Sequence, residues 1–184
     1  MRPDRSIRRR QAAVALALAM GALVASSGLA AAGGQREIAA VRQVTVQYHE
    51  LQAALDDGYE LFYVCTEEPG VGTMGQHFVK GSLVVDPAVD PLQPEVLVYA
   101  PERNGGYRLV AVEYVTLRPL WEAAFGATTP RIFGRDMELT PAGNRYGLPD
   151  FYERHLWLWQ GNPSGLFFEW NPNVSCVGTG DNGG

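Results

Sequence analysis

A single segment at the N-terminus narrows what this chain can become. Five arginines (Arg2, Arg5, Arg8, Arg9 and Arg10) stand there against Asp4, and a charge-free run follows from Gln11 to Gln35 with AAVALALAMGALVA at its centre. Small residues close it at Gly28-Leu29-Ala30-Ala31-Ala32. A basic stretch, an apolar stretch and an A-x-A-like site in that order read as a secretory signal over Met1–Ala32, cut before Gly33. The run is Ala-rich and barely long enough to span a bilayer, and no later stretch approaches ~18 apolar residues, so no membrane segment is expected after cleavage. Residues 33–184 remain to fold, a length suited to one domain. The Arg9-Arg10 pair leaves open whether export follows the general or the twin-arginine route.

Export sets the redox state and the charge. Residues 33–184 hold ten Arg and Lys, Lys80 being the sole lysine, against nineteen Asp and Glu, a net charge of −9. Such a surface repels nucleic acid and anionic lipid, so neither is expected as a partner. Two cysteines and three histidines exclude zinc-finger arrays, iron–sulfur clusters and c-type haem attachment. Outside the cytosol, Cys65 and Cys176 suggest a disulfide closing a loop of about 110 residues. Two free thiolates on a metal are the competing reading. The 46% hydrophobic content excludes wholesale disorder, while 21 Gly and 12 Pro require many turns.

Periodicity supplies the outline. Val41, Val44, Tyr48, Leu51 and Leu55 form one apolar stripe, which predicts a helix over Glu37–Asp57 ended by Gly58 in the left-handed region. Tyr59–Cys65 reads as a short strand, Thr66–Gly75 as a loop, and Gln76–Val79 as a strand. Three prolines keep Asp86–Pro94 irregular. Glu95–Tyr99 and Tyr107–Thr116 read as a hairpin turning at Asn104-Gly105-Gly106. Arg118–Phe125 suits one or two helical turns, Asp136–Thr140 a strand, and Pro141–Pro149 a loop. Alternation over Phe151–Trp159 puts Phe151, Glu153, His155, Trp157 and Trp159 on one face, with Leu166–Trp170 returning after a turn. Val177–Gly184 reads as a disordered Gly-rich tail. The expected fold is α+β: one N-terminal amphipathic helix packed on a mostly antiparallel sheet of about six strands, a single domain over 33–176 with one disulfide.

The chemistry-bearing residues are few. Gly70-x-Gly72-x-x-Gly75 has dinucleotide spacing, but no helical stripe follows it and Glu67-Glu68 precede it, so no nucleotide cofactor is expected. Ser82, Ser164 and Ser175 lie in loops without a nucleophile elbow, and no catalytic residue is assigned. Asn173-Val174-Ser175 matches a glycosylation sequon, an incidental one beside Cys176. The three imidazoles, His49, His77 and His155, are candidate ligands for zinc, copper or iron. Glu113 joins them, because a carboxylate inside the apolar run LVAVEYV needs a partner. No H-x-H or H-E-x-x-H spacing demands a metal, so structural histidines remain the alternative. The aromatics Trp157, Trp159, Phe167, Phe168 and Trp170 suit either a core or a pocket, with Met74, Tyr114, Trp157 and Trp170 as candidate pocket residues.

Three segments, CTEEPGVGTMGQHFV (Cys65–Val79), NRYGLPDFYERHLWLW (Asn144–Trp159) and NPSGLFFEWNPNVSC (Asn162–Cys176), resemble a widespread family of small exported bacterial proteins with no assigned activity. Tyr48-His49 and EVLVYAPERNGGYRLVAVEYV (Glu95–Val115) extend the likeness over most of the chain. The resemblance implies that Cys65, Met74-Gly75, His77, Glu113-Tyr114, His155, Trp170-Asn171-Pro172 and Cys176 belong to a shared pattern. It also implies two departures, since Lys80 replaces a usual Asn and Arg154 a usual apolar residue; the second matters little if Arg154 faces solvent.

The function expected from these residues is a metal- or small-ligand-binding module centred on His77 and His155, with Glu113 or His49 completing the site. A metal-dependent enzyme at the same site is one alternative. A structural or partner-binding protein without metal is the other.

Overall fold

Where the sequence carries one helical stripe, the chain forms three helical pieces. The computed structural model describes residues 34–177. The leader read at Met1–Ala32, and the tail read at Val177–Gly184 beyond its first residue, lie outside the described residues. Helix α1 spans 34–45, a 3₁₀ turn follows at Val46–His49, and α2 spans Leu51–Asp56. The break has a local cause. The Thr45 hydroxyl donates back to the Val41 carbonyl at 2.8 Å within a β-branched run, which loosens a helix end. Glu50 is then extended, with φ −86° and ψ 107°. The break rotates the stripe: Val41 and Tyr48 stay buried, but Leu55 turns outward and Ala54 takes its buried place.

The remaining elements run β1 (Glu60–Glu68), β2 (Gly72–Val79), α3 (Gly81–Val84), β3 (Val96–Pro101), β4 (Tyr107–Leu117), α4 (Arg118–Phe125), β5 (Arg131–Ile132), β6 (Arg135–Asp136), β7 (Glu138–Thr140) and β8 (Phe151–Leu156). Six strands form one antiparallel sheet in the order β1-β2-β3-β4-β8-β7, and β5 and β6 make a separate two-residue pair. The fold is α+β.

Two segments depart from the periodicity. Thr66–Gly75 is no loop: β1 and β2 extend through it as a hairpin, pairing Thr66 with Gly75 and Glu68 with Gly72. The return strand expected at Leu166–Trp170 does not form. Strand β7 pairs only with Phe151–Glu153 of β8, and just past β8 the Leu166 carbonyl accepts the Trp157 N–H, a single backbone bond that does not extend into a ladder. Strand β8 therefore stops at Leu156, and Trp159 packs with the α1 side while Trp157 packs on the other.

A hydrophobic core lies on each sheet face. On one, Val41, Tyr48 and Ala54 of the helices meet Phe78, Leu97, Tyr99, Val112, Tyr114 and Leu156. On the other, Val96, Val98, Ala111, Val115, Phe151 and Trp157 are covered by Tyr146 and Leu148 of the loop before β8 and by Val174. Among the described residues no helix is long and apolar enough to cross a membrane.

Cys65 of β1 and Cys176 form a disulfide, with Cα atoms 5.8 Å apart. The Cys176 N–H also donates to the Glu67 carboxylate at 2.7 Å, and Thr73 and Asn171 exchange backbone hydrogen bonds at 3.1 Å. The C-terminal segment is thus laid along the β1–β2 hairpin.

Of the glycines in Gly70-x-Gly72-x-x-Gly75, Gly72 and Gly75 lie within β2, where a nucleotide site needs a helix to begin, and both serve close packing. Gly75 has φ +109°, and a Cβ there would stand 2.8 Å from the Tyr99 carbonyl oxygen and 2.9 Å from Val98 Cγ1. Gly75→Ala is therefore expected to destabilise by about 2–4 kcal/mol through backbone strain and overlap, read as a lower urea midpoint at unchanged m-value. An unchanged midpoint would show that β3 yields without cost.

Candidate functional site

The sheet face opposite α1 and α2 receives the side chains of His77, Glu113, Glu153 and His155 by strand alternation. Strand β4 alternates, so Tyr114 enters the helix-side core and Glu113 faces the other way. Strand β8 places His155 directly opposite Glu113 in the ladder, and β2 contributes His77. Between β2 and β4 lies β3, which brings only Val96 and Val98 to these positions, paired with Glu113 and His77 respectively. The imidazole of His77 reaches across this strand.

The side chains of His77, Glu113 and His155 converge. His77 Nε2 lies 3.5 Å from Glu113 Oε2, and His155 Nδ1 lies 3.6 Å from Glu113 Oε1. One candidate donor atom from each falls within 4.8 Å of the others, and all three residues are buried. The His rings stand nearly perpendicular with centroids 5.9 Å apart. These separations exceed ordinary hydrogen bonds. The two His–Glu113 separations are near the roughly 3.4 Å edge of a tetrahedron of donors each about 2.1 Å from a central ion, but they run to different carboxylate oxygens, and a set of one donor per residue spans up to 4.8 Å.

The polar atoms are poorly satisfied. Both ring nitrogens of His155 and Nδ1 of His77 are buried without a hydrogen-bond partner. Each such orphan costs about 1–3 kcal/mol unless something meets it. Burial pulls the His77 imidazole down to about 4 and that of His155 to about 3, the latter helped by the neighbouring His77 and Arg154. Both rings are therefore neutral at pH 7, the form that ligates metals. Burial holds the Glu113 carboxyl well above the usual range, and the nearby Glu153 reinforces this. Glu153 is itself buried and accepts a hydrogen bond from the Thr140 hydroxyl. Glu169 is raised to about 7, by burial first and by Glu153 second. The donor set fits a divalent ion: two neutral imidazoles, and a carboxyl whose charged form a cation would stabilise.

Beside the cluster opens a cavity of about 380 Å³, and His77 and Glu113 line it. Its walls are mainly apolar, with Phe62, Val96, Tyr146 and Phe151 prominent, and Glu60 and Glu153 add carboxylates.

Several sequence expectations need correction. His49 is no part of the cluster; it is exposed and packs edge-on to Trp159 at 4.4 Å, because the helical segment that carries it packs on the opposite sheet face. Met74, Tyr114, Trp157 and Trp170 do not line the cavity. Tyr114 points into the helix-side core and its hydroxyl donates to the Pro91 carbonyl at 2.8 Å. Trp157 is buried, stacks beside His155 at 6.2 Å, and donates its indole N–H to the Phe168 carbonyl. Met74 is buried and receives the Tyr146 hydroxyl, while Trp170 faces the Arg145 guanidinium. Arg154 is buried, away from solvent, and paired with Glu138 at 3.0 Å and with the Asp136 carbonyl. The wall residues Phe62, Tyr146 and Leu148 carried no sequence signal, since distant loops bring them together.

Away from the cluster, Glu95 is buried and accepts the Val115 N–H at 3.0 Å. Burial raises its carboxyl to about 8, with Asp86 and Asp90 adding repulsion. The folded chain thus keeps a proton that the unfolded chain releases near 4.5. The stability linked to that proton is complete below about 4.5 and is lost as pH rises through about 8. Glu95→Gln is expected to remove this fall, on the order of a few kcal/mol, in denaturant titrations at pH 5 and pH 8. Parallel pH profiles for the two proteins would sink the assignment.

Compared with protein-family models, with curated proteins and with solved structures, the chain matches none.

Proposed function

We propose that this protein is an exported metal-binding protein that holds one transition-metal ion between His77, Glu113 and His155. One observation carries the reading: His155 is fully buried, both its ring nitrogens lack a hydrogen-bond partner among the described residues, and a buried carboxyl stands 3.6 Å away. Two imidazoles and one carboxylate suit zinc, copper or iron. The ion would meet the orphaned nitrogens and neutralise Glu113, two costs that the apo site bears. The disulfide supports an oxidising compartment, in keeping with the signal-like leader and the resemblance to exported bacterial proteins.

The test is the metal content of the chain purified from an exporting host without contact with a nickel column. About one equivalent of zinc, copper or iron is expected, and none in His77→Ala or His155→Gln variants that keep the wild-type circular dichroism. No metal in the wild type, and no uptake when each ion is titrated in, would overturn the proposal and leave the histidines as core residues.

A further inference from the structure

We propose that the cavity beside the cluster receives a small, uncharged organic molecule, an apolar body carrying one nitrogen donor that binds the held ion. This rests on the metal reading above. Three protein donors leave a tetrahedral ion with an open position, the arrangement of catalytic and ligand-binding sites as opposed to closed structural ones. The cavity gives that position a direction. His77 and Glu113 belong both to the cluster and to the cavity lining, whereas His155 has a fully buried side chain backed by Trp157. Access to the ion is thus from the His77–Glu113 side.

The lining sets the ligand class. A volume of about 380 Å³ is within the range of small-molecule pockets. Phe62, Val96, Tyr146 and Phe151 offer an apolar body contact on several sides. The lining carries the carboxyl groups of Glu60, Glu113 and Glu153, and among the described residues no Arg or Lys lines the cavity. An anionic donor would enter beside these three acidic side chains with only the held ion to offset their repulsion. A neutral nitrogen base meets no such barrier, and it suits the same ions that imidazole side chains suit.

The test uses the full mature chain, stripped of metal and loaded with Co(II), whose visible bands report its coordination. Benzimidazole and benzoate, similar in size and opposite in the relevant charge property, are titrated separately. Benzimidazole is expected to shift the bands, with an affinity about tenfold or more above that of benzoate. Val96→Trp, or Val115→Phe if the first fails to fold, should bind Co(II) and lose the benzimidazole response. Bound Co(II) with bands unmoved by benzimidazole, or moved equally by benzoate, would overturn this inference and leave the metal reading standing. No uptake of Co(II), zinc, copper or iron would remove both.

Discussion

Removing the Cys65–Cys176 bridge should lower stability by about 4–5 kcal/mol. The bridge spans 111 residues, and loop-closure entropy for a loop of that length is about 4.7 kcal/mol at 25 °C. The loop holds every described element from the second half of β1 onward, while α1 and α2 lie outside it, so the bond restrains most of the unfolded chain. The native state adds a local contribution. Without the bond, the Cys176 N–H contact to Glu67 and the Thr73–Asn171 bridge must hold the C-terminal segment unaided. The measurement is thermal and urea unfolding of the Cys65→Ala, Cys176→Ala double variant, which avoids a stray thiol. For a domain of this size the drop corresponds to about 8–20 °C in Tm. Proteolysis should begin near Cys176, where the fray is local, before the sheet opens. A double variant within about 1 kcal/mol of wild type would mean that the unfolded chain is already compact enough to gain nothing from the link.

Saturating the cluster with its ion should raise stability by about 4 kcal/mol, or roughly 8–16 °C, when free metal exceeds Kd a thousandfold. The Glu113→Gln variant separates the ion from the fold. In metal-free protein it should be at least as stable as wild type, because a neutral amide replaces a carboxyl that burial keeps protonated. In the presence of metal it should lose most of the gain, since it removes the sole anionic donor of the cluster. Differential scanning fluorimetry of both proteins, with and without zinc, reads this as a crossing of the two Tm values. A metal-independent Tm in the wild type, with Glu113→Gln simply less stable, would assign Glu113 a structural role.

The acid side of the same cluster has a definite sign. Both histidines titrate lower in the folded chain than in the unfolded one, so in the apo protein the unfolded state binds more protons between about 6.5 and 4. Stability linked to them is present above 6.5 and is lost as pH falls through about 4.

The contributors to the cluster were legible because their residue types are scarce. Three histidines in the whole chain, and a carboxylate embedded in LVAVEYV, drew His77, His155 and Glu113 forward without any local spacing. The same scarcity drew His49 forward wrongly. Its exclusion follows from the whole helical segment packing on the sheet face opposite the cluster, where His49 stands against Trp159. The missing return strand was equally invisible. Leu166–Trp170 has strand composition, but whether a strand forms depends on a ladder with a distant partner, and here a single backbone bond from Trp157 to Leu166 takes its place.

Local chemistry therefore accounts for much of the molecule. Alternation in β4 and β8, the proline-rich break before β3, the Asn-Gly-Gly turn and the cysteine pair all follow from residues a few positions apart or from compartment chemistry. Strand order, the loss of the Leu166–Trp170 strand, the choice of Glu113 over His49 and the cavity walls follow from tertiary contacts. A ladder partner, the sheet face on which a helical segment packs, and a wall assembled from Phe62, Val96 and Tyr146 are pairwise properties of residues far apart in sequence, and periodicity along the chain does not encode them.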